Sequence, residues 1–193
     1  MKRLASAKIP THWGVFEMIS YADTPEDPMP HLALVAENFD PEQGPVLVRL
    51  HSECMTGDLF GSKRCDCGEQ LDIAMTMAAE RGGVVIYLRQ EGRGIGLTNK
   101  LKAYQLQDQG LDTVEANTHL GFEPDARHYE MAIQILQDLG VREIELLTNN
   151  PEKIDALEHS PVRVVRRIPI VVPAKKENAR YLHTKKTVMG HLF

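Results

Sequence analysis

The chain has 193 residues, 42% of them hydrophobic, which suits one substantial core or at most two small domains. Its formal charge of -5 argues against a general nucleic-acid binder, which carries a basic excess, but leaves room for a local basic pocket that takes a small anion. No apolar run approaches the ~20 residues that cross a bilayer, and no long hydrophobic segment follows the basic start Met1 to Lys8. Neither a membrane partner nor a secretory signal is therefore expected, and the reading is a cytoplasmic protein of one domain, residues 1–193.

In chain order, Trp13 to Ile19 alternates as a strand does, and the proline- and acid-rich stretch Tyr21 to Pro30 reads as an exposed loop. His31 to Val35 is a second strand, and after a turn at Pro41 to Pro45 the run Val46 to Leu50 is a third. Glu69 to Arg81 places Leu71, Ala74, Met75 and Ala78 at helical spacing and stops at Gly82-Gly83. Val84 to Arg89 is a continuous apolar run of the kind buried on both faces of a sheet. Helices follow over Thr98 to Gln109 and Asp125 to Leu139, ended by Gly110 and Gly140, with Thr113 and Asn117 on the loop between them. Glu143 to Thr148 is a strand, and Asn150-Pro151 supplies the cap and first position of a short helix through Leu157. Val162 to Val165 and a helix near Tyr181 to Val188 complete the series. The expected class is α/β: a single domain with a mixed β-sheet flanked by helices.

All three cysteines, Cys54, Cys65 and Cys67, fall in one C-x10-C-x-C stretch. Lys63, Arg64 and Asp66 among them make a poor context for buried apolar thiols. Three thiolates without a fourth suit a zinc ion, one per chain, that keeps a water in its open position. His51 is an alternative fourth ligand that would close the site into a structural one. Arg89 to Leu97 is a glycine-rich turn before a helix, with neither the dinucleotide fingerprint nor a Walker lysine. It offers backbone N–H groups to an anion, with Arg89 and Arg93 beside them; a tight turn with solvent-facing arginines is the plainer reading. Asp125-x-Arg127 marks the start of the third helix, where Asp125 also reads as an ordinary cap, and Thr148 to Lys153 puts a lysine within reach of a phosphate. Most of these segments leave predicted strands, where open α/β sheets collect their ligands. A metal with arginines, a lysine and glycine turns at that edge points to a phosphorylated substrate with an electrophilic carbon.

The same residues resemble a known family. His51-Ser52-Glu53-Cys54-x-Thr56-Gly57-Asp58 with Arg64-Cys65-Asp66-Cys67-Gly68 is similar to the zinc loop of GTP cyclohydrolase II. The likeness continues through Arg89 to Leu97, Leu106 to Asn117, Leu147 to Lys153 and Met189-Gly190-His191. At this length it is to the stand-alone form, without the dihydroxybutanone phosphate synthase domain often fused ahead of it. The resemblance implies an enzyme that opens the imidazole ring of GTP, releases formate and diphosphate, and leaves 2,5-diamino-6-(5-phosphoribosylamino)pyrimidin-4-one for riboflavin biosynthesis. It implies zinc on Cys54, Cys65 and Cys67, Mg²⁺ carried with the GTP triphosphate, and a homodimer. It implies that Asp125 is a proton acceptor, that Arg127 acts at the α-phosphate as nucleophile, and that Tyr104 serves the ring chemistry. An arginine is effectively always protonated, so stabilising charge is the easier task for Arg127. Arg49, Leu50, His51, Ser52, Glu53, Gln70, Glu91, Gly92, Arg93, Thr113, Thr148 and Lys153 match substrate-contacting positions. Ala126 stands where relatives commonly carry glutamate.

Two other readings compete. A zinc nucleobase deaminase also aims water at a ring carbon, but needs H-x-E followed by P-C-x-x-C, which Cys65-Asp66-Cys67 does not supply. A zinc-stabilised nucleotide-binding module would bind GTP and leave it unchanged.

Overall fold

The computed structural model describes residues 1–123 and 125–192. All seven strands form one mixed sheet, and seven α-helices accompany it among the described residues. The strands are β1 (Lys2–Pro10), β2 (Val15–Ala22), β3 (His31–Ala36), β4 (Val46–Ser52), β5 (Val84–Leu88), β6 (Glu143–Leu147) and β7 (Arg163–Ile168). The helices are α1 (Met55–Asp58), α2 (Cys67–Arg81), α3 (Gly96–Asp108), α4 (Thr113–His119), α5 (Glu130–Asp138), α6 (Pro151–Glu158) and α7 (Ala179–Thr187). The α/β expectation holds.

The sheet order is β1-β2-β3-β5-β4-β6-β7. Its first half is antiparallel, β1 to β2 to β3 to β5, and its second half, β5 to β4 to β6 to β7, is parallel. Composition explains the division. β4 reads VLVRLHS and is buried for six of its seven residues, as a strand covered on both faces must be. One face of the sheet packs on α2 through Ala74, Met75 and Ala78 with Leu47 and Val85. The other packs on α5 and α6 through Ala132, Ile135, Leu136 and Leu157 with Val48, Leu50 and Ile86. Each fully buried valine, leucine, isoleucine or methionine among them contributes about 1.5–3 kcal/mol, and each alanine less. The chain leaves β4 toward β5 on one side, and leaves β6 toward β7 on the other. A crevice therefore opens at the carboxyl ends of β4 and β6, where the strand order reverses.

Three expectations needed correction. β1 was not foreseen as a strand, because an exposed edge strand with Lys2, Arg3 and Lys8 has no buried face to pattern it; such charges keep an edge from pairing further. Thr113 and Asn117 lie on a helix, not a loop: Asp112 caps α4, accepting from Val114 N and Glu115 N, while Glu115 reaches back to Asp112 N. The third predicted helix begins at Glu130 rather than Asp125: the Asp125 carboxylate takes the backbone N–H and side chain of Arg127 in a local turn, and Tyr129 occupies the N-cap position. The Asn150 cap with Pro151 at the first turn is as expected.

Candidate functional site

Cys54 follows β4 and precedes α1, and Cys67 is the first residue of α2, so one strand end and one helix start face each other across the loop that carries Cys65. The three sulfurs lie within 4.8 Å of one another, and Cys54 Sγ is 3.6 Å from Cys65 Sγ. That is far beyond the ~2.05 Å of a disulfide. It is close to the ~3.8 Å edge of a tetrahedron whose metal–sulfur distance is ~2.3 Å. Gly57 makes the approach possible: a Cβ there would stand 3.0 Å from Cys65 Sγ, 3.1 Å from Cys67 Cβ and 3.2 Å from Cys54 Sγ. No histidine or carboxylate joins the cluster among the described residues.

His51 is turned to another task. Its Nε2 is 3.1 Å from both oxygens of Asp58, a buried carboxylate that also accepts from Cys54 N at 3.0 Å and Tyr87 Oη at 2.9 Å. The carboxylate assigns the ring proton to Nε2 and leaves Nδ1 a bare acceptor, buried and without a partner. Burial holds the ring below the usual histidine range in spite of Asp58, which keeps it neutral.

Lys100, on α3, lies 3.0 Å from Cys54 Sγ and 2.8 Å from Glu91 Oε1. Glu91 also accepts from Met55 N and Gly92 N, each at 2.6 Å, binding the glycine turn to the metal loop. Hydrogen bonds from Cys65 and Cys67, with Lys100 adding to them, hold the Cys54 thiol well below the usual thiol range. The resulting anion pushes Cys65 up to about 11. Nothing in the sequence singled out Lys100; its role depends on α3 folding back over the loop.

The glycine turn, Glu91–Gly94, has left-handed backbone at Gly92 (φ 63°) and at Arg93 (φ 63°). A positive φ at arginine is uncommon and marks a position held by its surroundings. Ala126 N donates to Arg93 O at 3.2 Å, so the loop carrying Asp125 and Arg127 rests on this turn through backbone. That contact does not depend on the side chain at 126.

A cleft of about 630 Å³, open mouth included, lies over the sulfurs. Its walls include Glu53, Glu91, Gly92, Lys100, Tyr104 and Thr113. A second lobe shares Ser52, Cys67, Arg93, Arg127 and Tyr181 with the first. Five basic side chains, Arg49, Arg93, Arg127, Lys153 and Lys185, line this second lobe, and among the described residues no aspartate or glutamate does. Arg49 donates to Leu147 O at 3.0 Å and Gln70 Oε1 at 2.6 Å, with its Nε buried and unpartnered. Lys153 donates to Leu50 O at 2.6 Å. Burial, then Arg49 and Arg127, hold the Lys153 ammonium well below the usual lysine range. The Thr148–Asn150 turn completes the wall.

Most of the residues singled out from sequence therefore converge. Leu50 differs: its side chain is in the core, and it meets the site only through its carbonyl. Asp125 also stands back from both lobes and grips Arg127 instead, with Arg127 Nε 2.8 Å from Oδ1 and a second bond from Nη2 to Oδ2. This pairing overrides burial and holds the Asp125 carboxyl below the usual range. Burial raises the Tyr104 hydroxyl, so it stays protonated. Arg89 lines neither lobe and is taken up by the Glu53 carboxylate, 3.3 Å away, instead of facing a ligand.

Comparison with known proteins agrees with this geometry. The family described as GTP cyclohydrolase II matches residues 2–169. "GTP cyclohydrolase-2" of Shewanella pealeana is 51% identical over 193 residues, covering 100% of this chain and 91% of its own length. The "GTP cyclohydrolase-2" of Neisseria meningitidis serogroup C is 51% identical, with 100% and 96% covered. "Riboflavin biosynthesis protein RibBA" of Bacillus subtilis is 53% identical over 100% of this chain, which spans 48% of that longer protein. No helix among the described residues is long and apolar enough to cross a membrane.

Proposed function

The chain belongs to the GTP cyclohydrolase II family, and on that premise we propose that the two-lobed cleft binds GTP, with the triphosphate in the cationic lobe and the guanine ring toward the sulfurs. Formate and diphosphate leave, and the pyrimidine product enters riboflavin biosynthesis. One observation carries the reading: an acid-free lobe of five cations shares Cys67 with a three-sulfur cluster. Few substrates other than a polyphosphate with an electrophilic ring would use both ends.

The donor set fits zinc: three soft ligands lie within 4.8 Å of one another, the Cys54–Cys65 pair close to a tetrahedral edge, with Gly57 clearing room for them. When bound, the ion would supply Lewis acidity and a more acidic water at the ring carbon. Magnesium has no carboxylate in the cationic lobe to hold it, so it would arrive on the triphosphate.

The chain's own residues divide the remaining work. Arg49, Arg93, Arg127 and Lys153 bind and orient the phosphates, with the N–H groups of the Thr148–Asn150 turn nearby. Asp125 holds Arg127 as an aligned, charged fork at the α-phosphate, where it stabilises charge as diphosphate departs. In this pairing the carboxylate is a weak base, so acting as proton acceptor requires the substrate to draw Arg127 away. His51 Nδ1 accepts a substrate N–H, and Tyr104, protonated, donates. A homodimer and a cytoplasmic location belong to the same proposal and rest on the family likeness.

The test is incubation with GTP, Mg²⁺ and Zn²⁺, following formate, diphosphate and the pyrimidine. Equal yields of the three support the reading. GTP bound but recovered intact, or release of ammonia in place of formate, overturns it.

A further inference from the structure

The family match ends at residue 169, yet the cleft does not. Tyr181 of α7 lines both lobes, and Lys185, one turn on, lines the cationic one. The segment is fastened at each end. Near its start Arg180 Nη2 donates to Gly110 O at 2.6 Å and Lys175 pairs with Glu69, while near its end Leu192 N donates to Asn149 O at 2.8 Å, beside the turn that follows β6.

Lys185 is held with equal care. Its Nζ is 3.0 Å from Asp66 Oδ1, and its side chain is 10% exposed. Asp66 Oδ2 accepts Gln70 Nε2 at 2.5 Å, and Gln70 Oε1 accepts Arg49 Nη2 at 2.6 Å. A continuous line thus runs from a cation on β4 to a cation on α7, passing through the residue between Cys65 and Cys67. An ammonium has three donors, and Asp66 takes one. Asp66 balances Lys185 itself, but the lobe that Lys185 lines also gathers Arg49, Arg93, Arg127 and Lys153, and an incoming anion would offset the cost of that crowding.

We infer that Lys185 is a further substrate-binding residue, by which the C-terminal helix closes on the polyphosphate of the nucleotide. This rests on the reading of the cleft as a GTP site. The competing role is that Lys185 only balances Asp66, and the two roles separate by experiment.

The zinc-loaded full chain would be titrated with α,β-methylene GTP and with guanosine, as wild type, Lys185→Gln, Lys185→Arg and the double variant Lys185→Gln/Asp66→Asn. We expect Lys185→Gln to weaken the triphosphate analogue about tenfold, the size of one charge-assisted hydrogen bond, and guanosine less than about threefold. Lys185→Arg should recover most of the loss, and the double variant should not. Equal losses for the two ligands, no loss in Lys185→Gln, or recovery in the neutral double variant would each overturn the inference. Melting curves guard against a folding defect: a variant that melts with wild type and still loses the analogue selectively supports it. If wild type binds neither ligand, both this inference and the GTP reading fall. If it binds the analogue but releases no formate from GTP, the reaction falls and the inference stands.

Discussion

The two ends of the cleft are built on opposite terms. At the sulfur end the protein supplies its own balance: Lys100 meets Cys54, Glu91 meets Lys100, and Asp58 ties Cys54 to β4 and β5. At the cationic end the balance is incomplete. Arg49 and Lys153 donate to carbonyls and an amide rather than to carboxylates, and Arg49 Nε has no partner. The first end is organised to hold a small hard-won ion in place, the second to wait for an anion from outside. Substitutions at the sulfur end should therefore remove metal and chemistry together, and those at the other end should weaken nucleotide binding while metal stays.

The largest effect expected is from Cys54→Ser: zinc per chain falls to near zero and formate release to background, measured by metal analysis and a coupled formate assay. Arg127→Ala comes next, lowering diphosphate release about 10²–10³-fold. Its melting point should shift only modestly; full activity in a protein that melts early would make Arg127 structural. Gly57→Ala drives a methyl against two sulfurs and should weaken zinc about 10–100-fold in chelator competition, as loss of supporting geometry does. Lys153 gives a pH test. Its depressed ammonium loses its proton in the empty cleft at lower pH than a free lysine. Binding a polyphosphate favours the charged form, so it takes up a proton, and affinity falls as pH rises through that range. Calorimetry in buffers of different ionisation heat reads the uptake, and proton release would contradict it. Ala126→Glu, smallest of all, should change turnover by less than about threefold, because the hydrogen bond that position 126 makes to the glycine turn comes from its backbone N–H.

The same contrast explains what could be read without a structure. The sulfur end is local: a strand, a loop and a helix start within residues 46–81 bring the three cysteines together, and their spacing shows it. The apolar runs of β4, β5 and β6 are equally legible, because burial on both faces leaves nothing polar to interrupt them. The cationic end is not local. Arg49, Arg93, Arg127, Lys153 and Lys185 come from a strand, a turn, a loop and two helices, so only the topology reveals that they meet. Lys100 and Lys185 were invisible for this reason, each being one of two lysines on a polar helix. Asp125 misled because an aspartate before an apolar helical run looks like a cap, and its neighbour Arg127 competes for the same carboxylate. The signal for α4 was present as Asp112-x-x-Glu115, a reciprocal cap in a stretch too polar to suggest a helix.

The central claim is that one nucleotide spans two separable ends, and the most direct measurement is nucleotide binding by a protein that has lost its metal. Titration of Cys54→Ser with α,β-methylene GTP should give an affinity within about tenfold of wild type, because the phosphates are held by the other lobe. The same protein given GTP should yield no formate. Formate released at the wild-type rate would contradict the account, and so would complete loss of analogue binding by a protein that remains folded.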